Sequence, residues 1–259
     1  MMFGFEILNQ FQEVALAFGA GDSQLRLGGV KIMLDETTGQ LHPTQSELNQ
    51  QVLTTHQAGF QLAIHAIEES TVEAAIAALE YAQNQSPQND RRHRIEHCAE
   101  CPPHLLKRLS NLQAVIVTQP PFLYYSGERY LARVPESQLP WLYRIKSPLS
   151  SGLVVAGSSD SPVVLDNPLV GICAAVTRQA ESGQYLLPEE RVSTREALSM
   201  YTINAAYASF EEDIKGSITQ GKLADMVVLS SDPLKSLPEQ IKDIRVEMTI
   251  IGGELVWEA

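Results

Sequence analysis

An α/β fold wound on a parallel sheet is predicted by three features of this 259-residue sequence. Short apolar runs alternate with amphipathic stretches of helical period, the pattern of strands linked by right-handed helical crossovers. Several of those runs are broken by one polar residue, although a strand covered on both faces should be nearly continuous Val, Ile and Leu. Near residue 212 the alternation stops, and glycine-punctuated strand signals take over. The expected division is therefore an α/β body over residues 1–212 and a small β segment over 213–259.

Taken in order, "FEILNQFQEVALAFG" reads as a helix ending at Gly19, and "GGVKIML" as a short buried strand. "FQLAIHA" is strand-like, and "TVEAAIAALEYAQN" is strongly helical, with Thr71 as its expected N-cap. "RHRIEHC" is a strand, and "PPHLLKRLS" a short helix opened by proline. "QAVIVTQ" follows, then an irregular aromatic stretch from Pro120 to Ser151, then the strand in "GLVVAGSSDS". That makes five strands before residue 165. Two helices come next, in "NPLVGICAAVTRQAESG" and "STREALSMYTINAAYAS"; Ser193 with Glu196 three residues on is a capping-box signal. "GSITQGKLADMVVLSSDPL" and "VEMTIIGGELVW" read as antiparallel strands, the second turning at Gly252 and Gly253.

The composition excludes several function classes. A formal charge of −12 repels nucleic acid and anionic membrane alike. Three cysteines cannot build a disulfide framework, and with no signal-peptide pattern at the start the expected location is the cytoplasm. Cys98 and Cys101 form a C-x-x-C, but no second pair accompanies it for structural zinc, and Pro102 and Pro103 stand where a redox motif wants its helix. His42, His56, His93 and His104 are expected at the surface.

Four interrupting residues carry the chemistry: Lys31, His65, His97 and Asp160. Strand alternation sets Lys31 opposite Val30 and Ile32, sets His65 opposite Ile64, and puts His97 on the face of Ile95. His65, His97 and Asp160 fall near the carboxyl ends of their strands, where α/β barrels keep their active sites. Two imidazoles and a carboxylate suit zinc or a similar divalent ion, and a lysine buried beside them is costly unless paired or modified. Carbamylation of Lys31 would turn that cation into an oxygen ligand. The 120–151 stretch is expected either as a lid over the site or as a cover for hydrophobic surface.

In order, "GGVKIMLDE", "AIHAIEESTVEAAIAALE", "HRIEHCAEC", "VIVTQPPFLY", "AGSSDSPV", "NPLVGICAAVTR", "EALSMYTINAAYAS" and "GSITQGKLADMVVL" resemble the carboxyl-terminal half of the amidohydrolase superfamily, in particular the amidohydrolase-3 family related to N-acyl-amino-acid deacylases. The resemblance implies a (β/α)8 TIM-barrel metal-dependent hydrolase, here strands four to eight, with part of a small β-sandwich. It implies one or two zinc or similar ions. Lys31 would be the carboxylated bridging lysine, His65 and His97 ligands on strands five and six, and Asp160 both ligand and proton acceptor for the attacking water. The substrate class would be a small molecule with an amide, imide or related acyl bond. Two departures stand out: Glu68 and Glu69 replace the usual Gly-Asp pair after His65, and the chain has no His-x-His for strand one. The expected partner is accordingly a missing amino-terminal half or a second copy. The rival expectation is a truncated, non-catalytic relative serving as a binding or assembly partner.

Overall fold

The computed structural model describes residues 1–37 and 39–259, in two compact units: residues 1–117 with 151–153, and residues 118–150 with 154–259. The first contains β1 (Phe3–Gly4), α1 (Leu8–Glu13), β2 (Val30–Met33), β3 (Asp35–Thr37), β4 (Gln40–His42), α2 (Gln45–Gln57), β5 (Leu62–Ala66), α3 (Glu69–Gln85), β6 (Arg94–His97), α4 (Pro103–Leu112) and β7 (Val115–Thr118), whose last residue is assigned to the second unit. β1, β2, β5, β6 and β7 pair in that order, all parallel, while β3 and β4 form a separate antiparallel hairpin.

The parallel register explains the core of this unit. Ile32, Ile64, Ile95 and Ile116 stand side by side across β2, β5, β6 and β7, and all four are buried. A β-branched row on a pleated surface packs well and excludes water, at about 1.5 to 3 kcal/mol for each fully buried side chain. α2 and α3 bury Leu48, Val52, Val72, Ile76 and Leu79. α2 opens on a complete capping box between Thr44 and Glu47.

Two local expectations change here. The first helix ends at Glu13, not Gly19: Ala15 takes a left-handed φ of 57°, and the Leu16 amide turns back to the Phe11 carbonyl at 2.8 Å. The cause is aromatic packing. Phe3 meets Phe11 and Phe60 with ring centroids 4.7 and 5.4 Å apart, and Phe18 meets Phe60 at 6.3 Å. A straight helix would carry Phe18 about 20 Å from Phe5 along its axis, too far to close on that cluster. α3 likewise starts two residues before Thr71, at Glu69. The Thr71 hydroxyl lies inside the first turn, donating to the Glu68 carbonyl at 2.8 Å and accepting from the Ile67 amide at 3.0 Å.

The second unit contains α5 (Pro120–Arg133), α6 (Lys146–Ser150), β8 (Val154–Gly157), α7 (Pro168–Thr177), α8 (Thr194–Met200), α9 (Ile203–Ala208), β9 (Met226–Leu229), β10 (Val246–Ile251) and β11 (Glu254–Glu258). The irregular stretch expected from Pro120 is largely helical, because its two prolines occupy the first turn, where a missing N–H costs nothing. The 142–147 connection is tied down by two buried charges. Arg178 donates to the carbonyls of Leu186, Tyr143 and Leu142 at 2.9, 2.6 and 3.2 Å. Glu190 accepts from the amides of Ile145 and Ser147 at 3.1 and 2.9 Å and from the Ser147 hydroxyl.

The Ser193–Glu196 capping box opens α8 as the sequence indicates. The Asn204 amide nitrogen on α9 donates to the Val155 carbonyl at 2.9 Å, which fixes β8 from one side. β9, β10 and β11 form the antiparallel sheet expected in the closing segment, in the order β11-β10-β9. Among the described residues no helix is long and apolar enough to cross a membrane.

Candidate active site

The parity opposite the isoleucine row carries polar residues of these strands among apolar ones. Met33, His65, Glu96 and Val117 are register partners across β2, β5, β6 and β7, and one pleat back stand Lys31, Ala63, Arg94 and Val115. Lys31 and His65 therefore share a face, two residues apart along the strand direction. Lys31 and His65 are half-buried, and Glu96 is buried.

His97 does not obey the alternation. Its register partner is Ala66, so a regular strand would point its ring to the Ile95 side, away from His65. Instead His97 takes φ 73° and Cys98 φ 50°, and the His97 ring meets the His65 ring edge to face with centroids 4.4 Å apart. A left-handed residue at the strand end turns its side chain across the sheet edge, and histidine is one of the side chains that visits this region more readily than most. Such strain persists where surrounding structure holds it. Here the Cys98 amide donates to the Ala66 carbonyl at 3.0 Å, and the Glu100 amide to the Ile67 carbonyl at 2.9 Å.

Asp160 belongs to the second unit, three residues beyond β8, and is exposed. It too has a left-handed backbone, φ 54°, with its amide on the Ser158 hydroxyl at 3.2 Å and its carbonyl accepting from the Val163 amide at 2.9 Å. Of the four expected residues, the structure thus brings His65 and His97 into contact and sets Lys31 on the face of His65.

The carboxyl ends of β5 and β6 are acidic as well. The Glu69 amide donates to the Glu100 carboxylate at 3.3 Å, and burial, with Glu68 and Glu69 close by, holds the Glu100 carboxyl above the usual range. Among the described residues, no group of three or more His, Cys, Asp and Glu side chains is placed to hold a metal ion. His65 and His97 are two imidazole donors of the kind zinc takes, and they fit as part of a ligand set.

Sequence reasoning missed Arg94 and Glu96. They form an ion pair, with Arg94 Nε on Glu96 Oε1 at 2.7 Å, on the same parity as His65. The signal was present in "HRIEH", whose Arg and Glu alternate with Ile95 and so fall on the polar face.

The amidohydrolase family model matches residues 5–257, nearly the whole chain. The chain belongs to the amidohydrolase family. This amidohydrolase is 28% identical over 233 residues to the putative amidohydrolase YtcJ of Bacillus subtilis, covering 89% of this chain and 42% of that protein. It is 29% identical over 251 residues to an N-substituted formamide deformylase of Arthrobacter pascens, covering 90% of this chain and 46% of that one. The crystal structure of an uncharacterized metal-dependent hydrolase from Pyrococcus furiosus superposes with a TM-score of 0.76 at 30% identity, covering 90% of this chain and 50% of that chain. The amidohydrolase chain thus spans less than half the length of the curated relatives it matches.

Proposed function

We propose that this amidohydrolase chain supplies one part of a metal-dependent hydrolytic site that cleaves amide, imide or related carbon–nitrogen acyl bonds in a small molecule. One observation carries the reading: two imidazoles in contact at the carboxyl ends of adjacent parallel strands, one of them turned there by a left-handed backbone. That rim is where barrel hydrolases do their chemistry. Family membership and the likeness to a metal-dependent hydrolase support it.

In this proposal His65 and His97 hold zinc or a similar divalent ion, and Lys31, as its carbamate, adds an oxygen donor. One or two such ions would lower the pKa of water and polarise the acyl carbonyl. The Asp160 carboxylate accepts the proton of the attacking water and passes it to the leaving nitrogen, so that the acyl group departs as acid and the nitrogen as amine. Because the curated relatives are more than twice as long as the matched segment, we assign the remaining ligands to a segment of the family's length outside these 259 residues, or to a second copy. Residues 1–212 would then form barrel and 213–259 part of its β-sandwich. Three buried cysteines, Cys98, Cys101 and Cys173, too few for a disulfide framework, support a reducing, cytoplasmic setting.

The test is hydrolysis of a panel of N-formyl and N-acyl amines, cyclic imides and simple esters by the protein at full family length, with zinc per chain measured by elemental analysis. Asp160→Asn should lose turnover by at least about a hundredfold while the fold is kept. Turnover unchanged in Asp160→Asn would remove Asp160 from the mechanism, and zinc unchanged in His65→Asn and His97→Asn would remove the two imidazoles from the ligand set.

A further inference from the structure

A second histidine pair lies at the other ends of the same two strands and takes no part in the hydrolytic reading. His56, at the end of α2, is buried, and His93, just before β6, is nearly so; both were expected at the surface. His93 Nδ1 accepts from the Leu62 amide at 3.1 Å, His93 Nε2 lies 2.8 Å from His56 Nδ1, and His56 Nε2 lies 2.7 Å from the Ser86 carbonyl. The two ends of this chain fix every proton in it. A backbone N–H only donates, so His93 Nδ1 is bare and the proton of the neutral ring sits on Nε2, donating to His56 Nδ1. The His56 proton is then on Nε2, facing a carbonyl that only accepts. Hydrogen bonds run one way from β5 through two rings to the end of α3.

Such a chain has no place for another proton. One added to His93 Nδ1 would face the Leu62 N–H, and one added to His56 Nδ1 would face the His93 N–H. The Ser86 carbonyl favours a proton on His56, but burial outweighs it. α3 presents the Ser86 carbonyl and β5 the Leu62 amide, while the 86–93 loop presents Gln88, whose side-chain nitrogen donates to the His56 carbonyl at 3.2 Å, and Arg91. The Arg91 guanidinium, held by Gln88 and by the Gly59 carbonyl at 3.0 Å, is the charge that acts on both rings, and it repels a proton on either. Burial first, then the other ring and Arg91, hold His93 down to about 3, and burial depresses His56 as well.

We propose that the His56–His93 pair is an acid-sensitive latch, closed only when both rings are neutral, which clamps the end of α2 and the 86–93 loop onto the start of β5. The sign follows from linkage. Above pH 6.5 both rings are neutral folded and unfolded, and the latch is closed. Below it the unfolded chain takes up protons that the folded chain refuses, so the unfolding constant rises by up to about tenfold per pH unit for each ring. At pH 5 the folded latch is still closed, but the chain is less stable against unfolding than at pH 7.

The experiment is urea unfolding of the full 259-residue chain at several pH values from 7.5 to 5, beside the double variant His56→Gln, His93→Gln. The wild type should lose stability more steeply below pH 6.5, its unfolding constant gaining up to about a hundredfold per pH unit over the variant's. Parallel slopes would overturn the latch. Should the variant fail to fold, nitrogen-15 spectra of ring-labelled wild type decide alone. His56 and His93 should both remain Nε2–H tautomers down to pH 5, and titration of either near 6.5 would overturn the proposal.

Discussion

Two histidine pairs bracket β5 and β6, and they differ in how their rings meet. At the amino-terminal ends His56 and His93 are joined ring to ring at 2.8 Å, and their outer nitrogens are spent on the Leu62 amide and the Ser86 carbonyl. At the carboxyl ends His65 and His97 meet edge to face at 4.4 Å between centroids, on a rim with Glu100 and the Glu68–Glu69 turn. The first arrangement joins the rings nitrogen to nitrogen; the second sets them edge to face. Left-handed backbone occurs at both ends, at His97 and Cys98 and at Asp90 and Arg92 before His93. A ring-to-ring hydrogen bond at one end and edge-to-face imidazoles at the carboxyl ends fit the division that barrel folds show between their structural and chemical faces.

Replacing His97 is the sharpest way to break this comparison. Asparagine tolerates the left-handed backbone that His97 adopts but carries no imidazole, so His97→Asn separates ligand loss from backbone strain. Activity at full family length should fall by at least about a hundredfold, a loss that changes around a metal readily produce, while unfolding free energy moves by less than about 1 kcal/mol. A large loss of stability with activity per folded molecule preserved would make the upper pair structural and erase the distinction.

The lower pair should respond in the opposite sense. His93→Leu leaves the buried Leu62 amide without its acceptor and His56 Nδ1 without its donor. Two unsatisfied polar groups cost about 2 to 6 kcal/mol at pH 7, read by urea unfolding. Turnover per folded molecule should be unchanged. Adding His56→Phe removes the orphaned Nδ1 but takes the donor from the Ser86 carbonyl, so the double variant should cost less than the sum of the two single changes. Strict additivity of the two changes would show that the rings do not act as a pair.

The frame of this comparison was legible in the sequence, and its proton chemistry was not. Apolar runs of four or five residues followed by helical periods placed β2, β5, β6, β7 and β8, and the ordered motifs named the family. Lys31, His65 and His97 drew notice because each interrupts such a run. What failed depends on contacts distant in the chain or on a single dihedral. His56 and His93 are 37 residues apart, and nothing local distinguishes a paired ring from an exposed one. The turn of the His97 ring toward His65 rests on one positive φ, which alternation cannot anticipate. Pro120 and Pro121 looked like loop residues because proline breaks a helix interior and opens a helix start with equal ease.

A smaller effect refines the chemical end. Glu100 is held above the ordinary carboxylate range mainly by burial, with Glu68 and Glu69 adding repulsion against the hydrogen bond from the Glu69 amide. A carboxyl whose folded value is raised binds its proton more tightly folded than unfolded. Its cost therefore appears as pH rises past 4.5 and is complete above the folded value. Glu100→Gln keeps an oxygen for the Glu69 amide and removes the charge, so it should stabilise the chain by under about 1 kcal/mol at pH 7 and by nothing below pH 4. A cation bound at this rim would reverse the sign, because it favours the ionised carboxylate and would be lost with it. Destabilisation by Glu100→Gln in added zinc, beside stabilisation in chelator, would therefore locate a bound ion beside His65 and His97, and the same sign in both would show that Glu100 feels none.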